Sequence, residues 1–158
     1  GEKRVAIVPA IAKRLLKSGI QVFVESSAGN GGGFYDSEYT RMGCQVLGSA
    51  QKIYDVADVI VKIREPEMHP VTNMHEIDML GAGKTMISFV GPRTDNGKAL
   101  MDRAVRAGIN LLAVDAIPRI SRAQSLDVLS SQAKIAGYRA VVEAVNEYQR
   151  FFNGEVTA

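Results

Sequence analysis

The sequence predicts an α/β fold, an open and mostly parallel sheet flanked by helices, on three observations. Short β-rich runs alternate with helical patterns through most of the 158 residues. The runs are apolar on nearly every residue, as expected of strands covered on both faces by helices. The composition, 46% hydrophobic and 23% charged, suits one soluble domain with a substantial core.

The elements follow in order. A helix is expected around Ala10 to Ser18, where "AKRLLKS" runs into Gly19 with basic residues near the end that suit the helix dipole. The strand "QVFVES" comes next, then the glycine-rich "SSAGNGGGFYDSEY", which opens a helix over Ser37 to Met42 with Asp36 as its cap. "CQVLG" is the second strand, and Ala50 to Val56 the helix after it. "DVIVKI" is the third strand, followed by a polar connection and a helix around Met74 to Leu80. The strand "TMISFV" precedes a helix over Gly97 to Ala107, which Gly108 stops after "MDRAVRA". "NLLAVDA" is the fifth strand. The last helix begins near Ser130 and is the longest. Ile135, Tyr138, Val142, Val145 and Phe152 recur along it at near-helical spacing, with Ala133, Ala136, Ala140 and Ala144 allowing close approach, and Asn153 and Gly154 end it. That pattern predicts packing against something large. Repeated β-α units of this kind place ligands at the carboxyl ends of the strands.

Several function classes are excluded or made improbable by the bulk numbers. The formal charge is +2, with Lys and Arg scattered among Asp and Glu, so there is no basic stripe for nucleic acid. One cysteine excludes an internal disulfide framework. No Cys and His cluster has zinc spacing, and no metal is expected. No apolar run approaches the length of a membrane span, so direct insertion into a bilayer is not expected.

Four features have ordinary readings. "GAGKT" at Gly81 to Thr85 looks like the end of a phosphate-binding loop, but Asp78 stands where a glycine is needed, and the segment leaves a helix to enter a strand. It reads as a tight turn. The glycine run meets Phe34 where the third glycine of a dinucleotide fingerprint belongs, so its glycines are expected to supply positive φ and close backbone approach. The domain is thus a three-layer, Rossmann/flavodoxin-like fold lacking the glycine fingerprint. His69 and His75 read as surface residues, Cys44 as a buried small hydrophobe, and the dispersed methionines as core filling.

The richest concentration of hydrogen-bonding groups is "PRISRAQSLDVLSSQAKIAGYRAV", which begins at Pro118. Arg119, Gln124, Asp127 and Ser130 follow a strand and feed a helix N-terminus, where exposed amides favour anions and polar ligands. The residues alone leave two readings open. Either the loop binds a ligand, or Asp127 or Ser130 caps the helix while the arginines lie in solvent.

This segment, together with "EKRVAIVP", "VESSAGNGGGFYDSEY", "VIVKIREP" and "RFFNGEVTA", resembles the N-terminal NAD(H)-binding component of the proton-translocating NAD(P) transhydrogenase family, a relative of alanine dehydrogenase. The resemblance spans nearly the whole chain. It implies an enzyme that transfers hydride between NAD(H) and NADP(H), with the loop folding over the nicotinamide and proton movement coupled to the reaction. Asp127, Arg119 and Gln124 would be the catalytic residues by this resemblance. Arg119 and Asp127 would contact the nicotinamide region and Ser130 its carboxamide; Gln124 would reach toward the NADP(H) held by a partner component, and Tyr138 would support the site from the helix. The implied partners are the NADP(H)-binding and membrane components and a second copy in a homodimer. The implied location is a soluble domain peripheral to a membrane, facing the bacterial cytoplasm or mitochondrial matrix.

Two alternatives accompany the resemblance. In alanine dehydrogenase an arginine, a lysine and a histidine bind and protonate the substrate. Arg4 matches the first, but Arg64 stands at the lysine position of "KIREP" and Gly91 replaces the histidine, so the proton-transfer group is missing. The other alternative is a non-catalytic cover and interaction domain. Residues 1–158 are expected to be an N-terminal fragment: they begin just after the place where relatives carry a first strand, whose loss would leave unpaired sheet edges, and a Rossmann domain with the glycine fingerprint would follow. Alone, the fragment is expected to be inactive and to bind NADH poorly.

Overall fold

The structure, a computed structural model, describes residues 2–148 and 150. It divides into two compact units, Gly1–Ala116 and Ile117–Ala158. Among the described residues, the first carries every strand. Helix α1 (Pro9–Lys17) starts with proline at its first position, where the missing N–H costs nothing, and ends before Gly19 at φ +81°. Strand β1 (Phe23–Glu25), helix α2 (Asp36–Met42), strand β2 (Gln45–Leu47) and helix α3 (Ala50–Val56) follow. Then come strand β3 (Val59–Val61), the short helix α4 (Glu76–Met79), strand β4 (Thr85–Ser88), helix α5 (Asp95–Ala107) and strand β5 (Asn110–Ala113).

All pairing within these ladders is parallel, β1 with β2 and β3 with β4 with β5. The α/β class therefore stands, with parallel strands flanked by helices in three layers. The expected continuous sheet is instead two short ladders, because each apolar run commits only three or four residues to pairing. Each ladder has its own core. Ala12, Val22, Tyr39 and Cys44 close the first, where the Tyr39 hydroxyl donates to the Ile7 carbonyl at 2.9 Å. Ile60, Ile77, Met86, Val90, Leu100 and Ile109 are among the residues that fill the second.

Four expectations are corrected. Strands covered on both faces were predicted, yet in β3 only Ile60 is buried while Val59 and Val61 are exposed, and in β5 Leu112 is exposed. An unbroken run of β-branched residues follows from β propensity alone and does not require two covered faces. The helix expected from Met74 spans only Glu76–Met79, since the His75 side chain accepts the Ile77 amide and caps it there. Methionines fill the core only in part: Met79 and Met86 are buried, whereas Met68 and Met74 are exposed.

The second unit holds helix α6 (Val128–Glu147). No residue of α6 is buried, and Ile135, Tyr138, Val142 and Val145 all stand exposed, which is the fourth correction, to the packed face read from their spacing. Phe152, Asn153 and Gly154, with the rest of "FFNGEVTA", lie outside the described residues.

Candidate functional site

The loop that leads into α6 is ordered by its own backbone. After Pro118, a 3-10 turn spans Ser121–Leu126, with the Ala123 amide donating to the Ile120 carbonyl at 2.9 Å and the Asp127 amide to the Gln124 carbonyl at 3.3 Å. Asp127 is the N-cap of α6. Its Oδ1 accepts the Ser130 amide at 3.0 Å, and its Oδ2 accepts the Ser130 hydroxyl at 2.6 Å. The helix begins two residues earlier than predicted because this carboxylate satisfies an amide of the first turn.

The Ser130 hydroxyl, then the Ser130 amide and the Arg119 charge, hold the Asp127 carboxyl below the usual carboxylate range. It is ionised at neutral pH. With its proton committed to Asp127, the Ser130 oxygen still has lone pairs that can accept from a ligand N–H. Arg119 and Gln124 carry exposed side chains. The site thus combines a fixed anion, a hydroxyl oxygen in acceptor orientation, a guanidinium and an amide.

These groups offer both donors and acceptors beside a fixed negative charge, which suits a polar ligand. Of the two readings left open by the residues, the structure forms the capping one: Asp127 caps α6, and Arg119 and Arg122 are exposed. The carboxylate oxygens keep lone pairs beside those bonds. Tyr138 is different. It lies eight residues past Ser130, about 12 Å along the helix axis, and is 77% exposed. The structure joins Asp127 to Ser130 directly, and Tyr138 is not part of that contact.

The competing features resolve locally. In the glycine run, a Cβ on Gly29 would lie 2.3 Å from the Phe34 carbonyl oxygen, and one on Gly32 2.9 Å from the Lys3 carbonyl oxygen. The run is packed against its own chain, and Gly33 has φ +81°, as the close-approach reading predicts. Asp36, expected to cap α2, instead accepts the Ser26 hydroxyl at 2.7 Å and the Ser27 amide at 2.8 Å, while Glu38 takes the Tyr35 amide at 2.9 Å. In "GAGKT", Gly83 has φ +82° and the Lys84 ammonium donates to the Tyr54 and Asp55 carbonyls at 3.0 and 3.1 Å. Lysine there closes the end of α3 and the segment is a turn.

His69 and His75 are half-buried rather than surface residues, and each accepts local amides through Nδ1. Burial, with the Arg103 charge behind it, lowers the His75 pKa. Among the described residues no group of His, Cys, Asp and Glu is arranged to hold a metal ion. Cys44 is 6% exposed, and burial raises its thiol pKa, as its reading as a small hydrophobe implies. Arg4 is paired with Glu2 at 2.8 Å, Arg64 is exposed, and Gly91 turns the chain at φ +66°.

Two polar groupings were not anticipated. Lys62 pairs with Glu76, which also accepts the Glu67 amide at 2.9 Å; burial and then the Glu76 charge push the Tyr54 phenol upward. Asp115 accepts the amides of Val90 and Gly91 at 3.2 and 2.7 Å. The Lys62–Glu76 pair spans 14 positions and the Asp115–Val90 bond 25, and the only signal in the sequence was a charged residue set against an apolar run.

The profile of the family described as "Alanine dehydrogenase/PNT, N-terminal domain" matches residues 1–136. An NAD(P) transhydrogenase subunit alpha from Cereibacter sphaeroides is 44% identical over 158 residues, which is 100% of this chain and 29% of that protein. The crystal structure of transhydrogenase from Sinorhizobium meliloti superimposes with a TM-score of 0.84 at 38% identity, covering 99% of this chain and 44% of that one. An L-alanine dehydrogenase structure gives 0.77 at 27% identity, over 97% of this chain and 40% of that one. The chain spans less than half the length of each of these relatives. Among the described residues, no helix is long and apolar enough to cross a membrane.

Proposed function

Because the chain belongs to the alanine dehydrogenase/PNT N-terminal domain family, we propose that residues 1–158 form the N-terminal domain of a transhydrogenase NAD(H)-binding component, and that the loop from Arg119 to Ser130 covers and orients the nicotinamide. The observation that carries this reading is the Asp127–Ser130 pair. It sets an ionised carboxylate and an acceptor hydroxyl at the head of a long helix, within a loop whose Arg119 and Gln124 side chains face solvent.

NAD(H), when bound, supplies the hydride. Hydride transfer needs no general acid or base, so this chain's work is orientation and field. Ser130 accepts from the carboxamide and sets which face of the ring is presented. Asp127 stabilises the positive charge that grows on the ring as it is oxidised, and its capping bonds keep it from moving as that charge develops. The Ser130 hydroxyl and amide, with a smaller part from the Arg119 charge, hold the carboxylate ionised, and Arg119 donates to the nicotinamide region. Gln124 reaches toward NADP(H) on the NADP(H)-binding component. Coupling to proton movement requires the membrane component, and the assembly is a homodimer in this part, peripheral to the membrane on the cytoplasmic or matrix side. Tyr138 serves at most as support through the helix.

An alanine dehydrogenase activity is less well supported. Gly91 offers no side chain at the histidine position, and an arginine at position 64 does not act as a general base at ordinary pH. The test is single-turnover hydride transfer from NADH to an NADP analogue, in the full-length protein with its NADP(H)-binding component. Asp127→Asn is expected to slow transfer on the order of tenfold while changing NADH affinity little; an unchanged transfer rate removes the role given to Asp127. Turnover with alanine and NAD alone supports the dehydrogenase instead.

A further inference from the structure

Both histidines of the chain lie in the connection from β3 to α4, and both act there as hydrogen-bond acceptors. The connection doubles back on itself. Met68 and His75 form an antiparallel bridge, the His69 amide donates to the Met74 carbonyl at 2.8 Å, and the Asn73 amide donates to the His69 carbonyl at 2.9 Å. Its two ends are joined twice: the Glu76 amide donates to the Glu67 carbonyl at 3.0 Å, and the Glu67 amide to a Glu76 carboxylate oxygen at 2.9 Å. Within the turn, the His69 Nδ1 accepts the Thr72 amide at 3.3 Å. At the exit, His75 is the N-cap of α4, where its Nδ1 accepts the Ile77 amide at 3.2 Å. Ile77 is fully buried in the second core, so this bond ties the connection to the part of the fold that excludes water.

Ser, Thr, Asp and Asn, the residues that ordinarily cap a helix, keep an oxygen acceptor in mild acid as at neutral pH. An imidazole accepts an amide only while it is neutral, because protonation puts an N–H on both ring nitrogens. We propose that His75 is an acid-sensitive latch: as the neutral imidazole it closes the head of α4 onto the β3–α4 connection, and on protonation it releases it. The charged groups around His75 come from three elements. Arg103 of α5 and Lys62, just after β3, oppose a further positive charge, while Asp78 and Glu76 of α4 favour one. Burial and then Arg103 prevail, so His75 titrates below its ordinary 6.5. The neutral form is the bonded one and the folded pKa is depressed, so the contribution to stability is whole above 6.5 and is lost as pH falls through the folded value. The latch is therefore closed at neutral pH and opens as pH drops below 6.5. This inference is independent of the nicotinamide reading, since every residue in it belongs to the first unit.

The experiment follows hydrogen exchange of single amides in the full-length protein at about pH 7.5 and about pH 4.5, on either side of the ordinary histidine range, with each rate corrected for the intrinsic effect of pH. It compares the parent with His75→Asn and His75→Ala. Asparagine caps a helix without titrating. In the parent, protection of the Ile77 amide is expected to fall about fivefold from the higher pH to the lower, the effect of losing one capping bond, while protection of the Met86 amide in β4 holds. His75→Asn is expected to keep the Ile77 protection at both pH values, and His75→Ala to lack it at both. Parent protection that does not change with pH, or a loss in His75→Asn equal to that of the parent, overturns the latch. A Met86 amide that loosens in step with Ile77 overturns it too, because the acid effect would then be global. Full protection of Ile77 at the higher pH in His75→Ala likewise overturns it, since the cap would not be what shields that amide. Should His75→Asn not accumulate as folded protein, His75→Asp, whose carboxylate stays ionised at the lower pH, is read in the same way.

Discussion

Two helical glycines mark the contrast between the halves of this chain. Gly97 in α5 has the Gly91 carbonyl oxygen where its Cβ would be, whereas Gly137 in α6 has nothing within 4 Å. The first unit is built of parallel ladders over cores that exclude water, with backbone packed against backbone at its turns. The second presents a 20-residue helix with no buried residue, preceded by a loop held by its own hydrogen bonds. Most helical stability in proteins comes from packing an apolar face, and α6 buries none of its residues. The buried cores therefore lie in the first unit, and the loop proposed as the functional one lies in the second.

The comparison breaks most visibly at the glycines themselves. Gly97→Ala forces backbone apart at the head of α5 and is expected to cost about 3 kcal/mol, seen as a lowered midpoint in denaturant unfolding of the full-length protein. A midpoint within error of the parent would mean that the scaffold yields where it is described as rigid. Tyr39→Phe removes the hydroxyl that reaches the Ile7 carbonyl and is expected to cost about 1 kcal/mol in the same measurement. Gly137→Ala should act in the opposite sense. It adds a methyl to open space and improves helix propensity, giving a gain of about 0.5–1 kcal/mol in helix stability, read by hydrogen exchange of the α6 amides. Slower exchange sharpens the contrast; faster exchange shows that α6 has a close neighbour at that face.

The smallest effect is electrostatic. The Asp127 carboxyl titrates below its ordinary value of 3.8 in the folded chain, chiefly through the Ser130 hydroxyl and amide. A depressed carboxylate contributes stability above its unfolded pKa and loses that contribution as pH falls through the folded one. The first turn of α6 is therefore expected to loosen as pH falls below 3.8, with the Ser130 amide exchanging faster. Asp127→Asn should abolish that pH dependence, and its persistence in the variant would assign it to another group.

Much of the scaffold was legible because apolar runs and helix periods report local preference. "QVFVES", "CQVLG" and "NLLAVDA" each contain a strand, and α3 runs from Ala50 to Val56 as its pattern implies. The split into two ladders was not legible, since which run pairs with which depends on register across the fold and not on any one run. Burial was over-read for the same reason: Val59 and Val61 are apolar without being covered. At the site, Asp127 three residues before Ser130 was readable as a cap, and the structure forms that cap. The distance of Tyr138 from it follows from helical rise and could have been counted. Asp115 was beyond reach, because its donors lie 24 and 25 residues earlier and neither Val90 nor Gly91 carries a side chain that advertises the contact.

The central claim is that Asp127 and Ser130 meet the nicotinamide end of the dinucleotide. It is tested most directly by following their backbone amide resonances in the full-length protein as NADH or ADP-ribose, which lacks the nicotinamide, is added. The account predicts that both amides shift with NADH and stay in place with ADP-ribose. Equal shifts with the two ligands, or none with NADH, would contradict it.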